Sequence, residues 1–153
     1  MQKITPCLWF DNQAEEAVKL YTSVFKDSKT GKISYYDKEA SVVSGQPEGS
    51  ILTIEFTIFG QNFTAMNGGP AFKFSEAVSF QIYCEDQAEI DYLWEKLSAD
   101  PSSEQCGWCK DKFGLSWQIV PKNIGELVSS PEGMSAMLNM KKLVIADLEK
   151  ATE

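Results

Sequence analysis

Apolar positions along the chain change period in a way that separates helices from strands. Between residues 14 and 25 they recur at helical spacing, which places Ala14, Ala17, Val18, Tyr21, Val24 and Phe25 on one face. Ile90, Leu93, Trp94 and Leu97 fall at i, i+3, i+4 and i+7 and predict a second amphipathic helix. Leu52, Ile54, Phe56 and Ile58 instead alternate with Thr53, Glu55 and Thr57, the period of a half-buried strand. Shorter strands are expected at residues 32–36, 63–67, 105–110 and 115–120, with residues 37–49 a mobile loop between two of them. Phe59-Gly60-Gln61-Asn62 and Asp111-Lys112-Phe113-Gly114 supply turns, and Gly68-Gly69-Pro70 reads as a linker. It lacks the lysine and following helix of a phosphate loop. Ser130-Pro131-Glu132 starts a final helix with Met137, Met140, Leu143, Val144 and Leu148 near one face, packed on the rest of the fold or on a partner.

Two stretches echo each other. Leu8-Trp-Phe-Asp-Asn-Gln-Ala-Glu15 and Ile82-Tyr-Cys-Glu-Asp-Gln-Ala-Glu89 match in residue class at an offset of 74, while the helix faces behind them align at 73. One residue therefore separates the copies between cap and helix. Asn12 with Glu15, and Asp86 with Glu89, have capping-box spacing and predict a turn from strand into helix in each copy. The second copy opens at Val78. The expected class is α+β: a single domain over residues 1–153, with one module over 1–69, another over 70–122 and a helical extension over 123–153.

Composition narrows the function classes. The chain has 43% hydrophobic residues and four Trp, enough to bury a core. A net charge of -8 repels phosphate backbones and anionic lipid, so neither nucleic acid nor a membrane is expected as a partner. Residues 1–10 hold no apolar run of signal-peptide length and no segment approaches a membrane span, which points to a cytoplasmic protein. Four Cys in that setting read as reduced thiols. Cys106-Gly107-Trp108-Cys109 has redox spacing but lies in a stretch read as extended, not at a helix N-terminus. Cys7 and Cys84 form no second close pair for a four-Cys zinc site.

Pro6-Cys-Leu-Trp-Phe10, Met66-Asn-Gly-Gly-Pro70, Val78-Ser-Phe80, Trp94 and above all the run from Cys106 to Pro121 resemble PhnB-like proteins, often labelled demethylubiquinone methyltransferase-like. These are members of the vicinal oxygen chelate superfamily, with the glyoxalases, bleomycin resistance proteins and extradiol dioxygenases. The resemblance implies paired βαβββ modules curled around a cavity, in a homodimer. With Leu8 and Phe10 facing the helices, strand alternation gives that cavity Thr5, Cys7 and Trp9, then Thr53, Glu55 and Thr57, then Ser79, Gln81 and Tyr83.

Metal-bearing relatives place His on the first strand of each module and Glu on the last. Counted onto this chain, those positions are Thr5 and Ser79 for His, Gln118 for one Glu, and Ala65 or Asn67 for the other. None suits a divalent ion, and the chain has no His. No metal or cofactor is expected, and the metal-dependent chemistry of the superfamily with it. Three functions stay open. The first is metal-free binding of a small, partly aromatic molecule by Thr5, Cys7, Trp9, Glu55, Asn67, Ser79, Gln81, Tyr83, Trp108 and Gln118. The second is metal-independent catalysis, methyltransferase-like or of lyase or isomerase type, using Glu55 or Cys7. The third is a structural or regulatory homodimer. The methyltransferase label itself finds no Gly-rich turn after a parallel strand, the usual nucleoside site of sulfonium-dependent transferases.

Overall fold

In the computed structural model, which describes residues 2–153, the first repeat becomes strand β1 (Cys7–Phe10), helix α1 (Ala14–Val24), strand β2 (Ser28–Tyr35), helix α2 (Lys38–Ser44) and strands β3 (Ile51–Ile58) and β4 (Gln61–Asn67). The strands form one sheet in the order β1-β4-β3-β2, with β1 and β4 parallel and the other pairs antiparallel. All six residues of the predicted α1 face are buried. They meet Leu8, Phe10, Ile54, Phe56, Ile58, Phe63 and Ala65 on one sheet face, where Tyr21 stacks on Phe56 at 6.0 Å. Each large apolar side chain buried there contributes about 1.5–3 kcal/mol.

The β1–α1 junction departs from the expected capping box. Three residues separate Phe10 from Ala14, against two between Cys84 and Gln87 in the second repeat, and Asn12 takes up the extra one with φ 64°. Its side chain does not cap the helix. The Ala14 N–H donates instead to Asn67 Oδ1 from β4 at 2.8 Å. Residues 37–49 also differ from the expected loop: Asp37 accepts the Ala40 N–H at 2.8 Å and Gly45, at φ 79°, closes helix α2.

The second repeat supplies strand β5 (Ser79–Cys84), helix α3 (Gln87–Leu97), a single 3-10 turn (Pro101–Ser103) and strands β6 (Trp108–Lys110) and β7 (Ser116–Pro121), ordered β5-β7-β6. Here the Asp86 half of the capping box forms, with Asp86 accepting the Glu89 N–H at 2.9 Å. Ile90, Leu93 and Leu97 are buried and Trp94 is half-buried. This module is α+β like the first but has three strands, not four. The 3-10 turn and a tight Gln105–Trp108 turn take the place of the counterpart of β2. Cys106 and Gly107 both have positive φ in that turn, and their N–H groups donate to Met140 and Lys141. The redox-spaced pair thus begins in a turn, which corrects the extended reading of residues 105–107.

A short helix α4 (Ile124–Leu127) comes first, and the predicted final helix is then two short ones, α5 (Pro131–Leu138) and α6 (Ile145–Ala151). Ser130 caps α5 as expected, accepting the Gly133 N–H at 3.0 Å. Leu127, Leu143 and Leu148 meet Val120 in a core of their own. Gln87 holds the α5–α6 connection by donating to Leu143 O at 2.9 Å and accepting the Ile145 N–H at 2.8 Å. The chain divides into two compact units, one up to Lys73 and one from Phe74 onward. No helix among the described residues is long and apolar enough to cross a membrane.

Candidate functional site

Helix α3 covers one face of the β5-β7-β6 sheet, and the strands aim a different set of side chains from the other. Register sets Gln81 opposite Gln118 and Gln118 opposite Trp108; one step along, Ser79 is opposite Ser116 and Ser116 opposite Lys110. Residues opposite each other share a face, so two rows cross the sheet: Gln81, Gln118, Trp108 and Ser79, Ser116, Lys110. Side-chain hydrogen bonds run along them. The Tyr83 hydroxyl donates to Gln81 Oε1 at 3.1 Å, Gln81 Nε2 makes a long donation to Gln118 Oε1 at 3.5 Å, and Gln118 Nε2 donates to Ser79 Oγ at 2.9 Å. Five residues nominated from the sequence, Ser79, Gln81, Tyr83, Trp108 and Gln118, thus lie together.

Beside the rows is a recess of about 500 Å³ lined by Glu76, Asp100, Ser102, Ser103, Trp108 and Lys110. Lys110 pairs with Glu76, and that hydrogen bond and charge hold the Glu76 carboxyl below the ordinary carboxylate range. The Ser116 hydroxyl oxygen is buried without a hydrogen-bond partner among the described residues. Pattern reading nominated neither Lys110 nor Ser116, because only cross-strand register shows them beside Ser79. The arrangement offers neutral amides and hydroxyls, one cation beside the carboxylates of Glu76 and Asp100, and two aromatic rings, a combination that hydrogen-bonds a polar group and stacks on a ring.

The other nominated residues belong to the first unit. Thr5 and Glu55 line a recess of about 370 Å³ with Lys29, Thr57 and Thr64. Glu55 is exposed, so within this unit nothing takes it out of water. Cys7 shares the sheet face turned away from α1, and partial burial pushes its thiol up from the ordinary value. At neutral pH it is a protonated, weak nucleophile. Trp9 is held under the linker: Nε1 donates to Gly69 O at 2.9 Å and its ring meets Phe72 edge-on at 4.9 Å. Register corrects the placement of Asn67. It lies with Phe63 and Ala65 on the buried face, its side chain bonded to Ala14 and Ile51 and its carbonyl accepting from the Tyr36 hydroxyl.

The positions counted as metal sites do not fit a divalent ion. Ser79 and Gln118 are neutral and bonded to each other, and Ala65 and Asn67 face α1. Among the described residues no three His, Cys, Asp or Glu gather to hold a metal. All four cysteines are free thiols. Burial, followed by the nearby carboxylates, pushes Cys84 and Cys109 up to about 12.

Comparison with known proteins agrees with the fold and the sequence motifs. The family described as 3-demethylubiquinone-9 3-methyltransferase matches residues 2–120. A PhnB protein from Bacillus cereus that carries the same methyltransferase name is 36% identical, with TM-score 0.63 over 78% of this chain and 99% of its own. Protein PA1353 from Pseudomonas aeruginosa, at 18% identity and TM-score 0.57 over 79% of this chain and 98% of its own, shares the fold. None of the curated proteins matches this chain. A family match across most of the length, a close PhnB relative and two sheets that fit the superfamily's fold lead to one assignment: the chain belongs to the PhnB-like, 3-demethylubiquinone-9 3-methyltransferase-like family.

Proposed function

We propose that this protein binds a small, partly aromatic molecule on the open face of the β5-β7-β6 sheet, using no resident metal. The observation that carries this is the hydrogen-bonded run Tyr83, Gln81, Gln118, Ser79 with Trp108 in register beside it. For the sheet alone an ordered line of amides between two aromatic rings is worth only about 0.2–1 kcal/mol per cross-strand pair, whereas a ligand gains both orientation and contact area from it. Tyr83 is 56% exposed, so its ring is available.

The methyltransferase activity named for the family fits these residues less well. The turn after β1 is Asp11-Asn12-Gln13, without glycine, and the Ala14 N–H that would meet a nucleoside is already taken by Asn67. Metal-independent catalysis by Glu55 or Cys7 has a solvent-exposed carboxyl group and a raised thiol to work with. A homodimer belongs to the same proposal, since it would cover apolar side chains such as Val42, Val43 and Phe72 that one chain leaves exposed; sedimentation equilibrium decides it.

The test is a thermal-shift screen against aromatic metabolites with elemental analysis of the purified protein. A ligand at about 100 times its Kd adds about 2.7 kcal/mol, or about 5–10 °C in Tm. Stoichiometric zinc, nickel or iron contradicts the metal-free proposal, and no shift with any compound contradicts binding.

A further inference from the structure

We propose that the ligand of this face is an aromatic carboxylate, its anionic group paired with Lys110 in exchange for Glu76 and extended to the Ser116 hydroxyl beside it. This rests on the binding proposal above and adds the chemical class of the ligand. Lys110 is part of the sheet, its side chain 27% exposed, while the Glu76 side chain is 62% exposed on the segment before β5. The cation is thus built in, and its partner comes from outside the strands. An ion pair whose acid is that exposed is weak, so an incoming carboxylate can replace Glu76.

Next to Lys110 in register stands Ser116, 1% exposed, whose hydroxyl oxygen has no hydrogen-bond partner among the described residues. Buried hydroxyls ordinarily find one, and an orphan among donors marks a place for an acceptor. Ser79, on the far side of Ser116, receives the Gln118 amide, which leaves its own hydroxyl hydrogen unused in that bond. The row therefore presents an ammonium and two hydroxyls; Glu76 is the acceptor bonded to Lys110, and Asp100, which lines the same recess and feels the Lys110 charge, keeps its own bonds to Ser102. Trp108 and Lys110 share a face of β6, about 7 Å apart along the strand, the scale of one ring bearing a carboxyl group. Ring on Trp108 and carboxylate on Lys110 is the pose this spacing supports.

The experiment follows backbone amide shifts of Ser79, Lys110 and Ser116 by NMR while benzoate, benzamide or inorganic phosphate is added at millimolar concentration. Glu76→Gln removes the internal acid without disturbing the sheet and should bind benzoate about tenfold more tightly than the unmodified protein. Lys110→Met should erase the preference for benzoate over benzamide, and Ser116→Ala in the Glu76→Gln background should weaken benzoate alone. Equal binding of benzoate and benzamide, or no gain from Glu76→Gln, overturns the carboxylate inference and leaves aromatic binding standing. Phosphate bound as tightly as benzoate overturns the aromatic part. No shift with any of the compounds, in either background, overturns both proposals.

Discussion

Replacing Asn67 by Ala separates a structural role from a ligand-binding one. In the fold Asn67 Oδ1 accepts the N–H of Ala14, an end of α1 capped from a neighbouring strand, while Nδ2 donates to Ile51 O at 3.2 Å. Losing a helix cap costs about 1 kcal/mol. Leaving the Ile51 carbonyl without that donor costs about 1 kcal/mol more. The side chain is 5% exposed, so its removal opens a small void worth about another 1 kcal/mol. The sum, about 3 kcal/mol, should lower Tm by about 6–12 °C and shift the urea midpoint with an unchanged slope. Calorimetry and urea unfolding measure the loss, and a parallel titration of an aromatic ligand followed by Trp fluorescence should show an unchanged Kd. An unchanged Tm together with lost binding would refute the placement and restore Asn67 to the ligand-contacting face.

Asp111→Ala should be more damaging, by about 3–5 kcal/mol, because the buried carboxylate receives the N–H groups of Phe113 and Leu115 and Trp117 Nε1 at 2.9, 3.1 and 3.0 Å; chemical denaturation with Trp fluorescence reads it. Gly68→Ala should expel Trp9, since the added methyl would lie 2.3 Å from its ring, and the expected signature is a red-shifted emission that is absent in Trp9→Phe. Alkaline titration should expose Cys84 and Cys109. Their folded values near 12 exceed the ordinary 9.0, so the stability they contribute is complete below pH 9 and is lost as pH rises towards 12. Ser substitution of both should flatten the fall in Tm across that window, and an unchanged slope would contradict the assigned burial.

What could be read from the chain depended on whether a signal was local. The α1 face and the β3 alternation were legible because period alone determines them, and all six predicted α1 face residues are buried. The Asp86 cap formed as its spacing required, yet the same grammar at Asn12 failed: the first junction is one residue longer, and a strand 53 positions away supplied the cap. Helix α2 carried its signals in Asp37 and Gly45 but buries no residue, so no apolar stripe betrayed it. The final helix was overread because Met137, Met140, Leu143 and Leu148 converge from separate segments on one small core. At the site, alternation put Ser79, Gln81 and Tyr83 on one face, whereas Lys110 and Ser116 emerge only from pairing between strands distant in sequence.

The most direct test of the proposed function is isothermal titration of an aromatic ligand identified by thermal shift, on the unmodified protein and on a Gln81→Ala, Gln118→Ala double variant. Both side chains lie on the open face and not in the core, so the variant should keep its Tm in the absence of ligand. Loss of the hydrogen bonds these amides offer should weaken binding at least tenfold, on the order of 1–3 kcal/mol. Unchanged affinity in the folded variant would place the ligand elsewhere and contradict the assignment of this face.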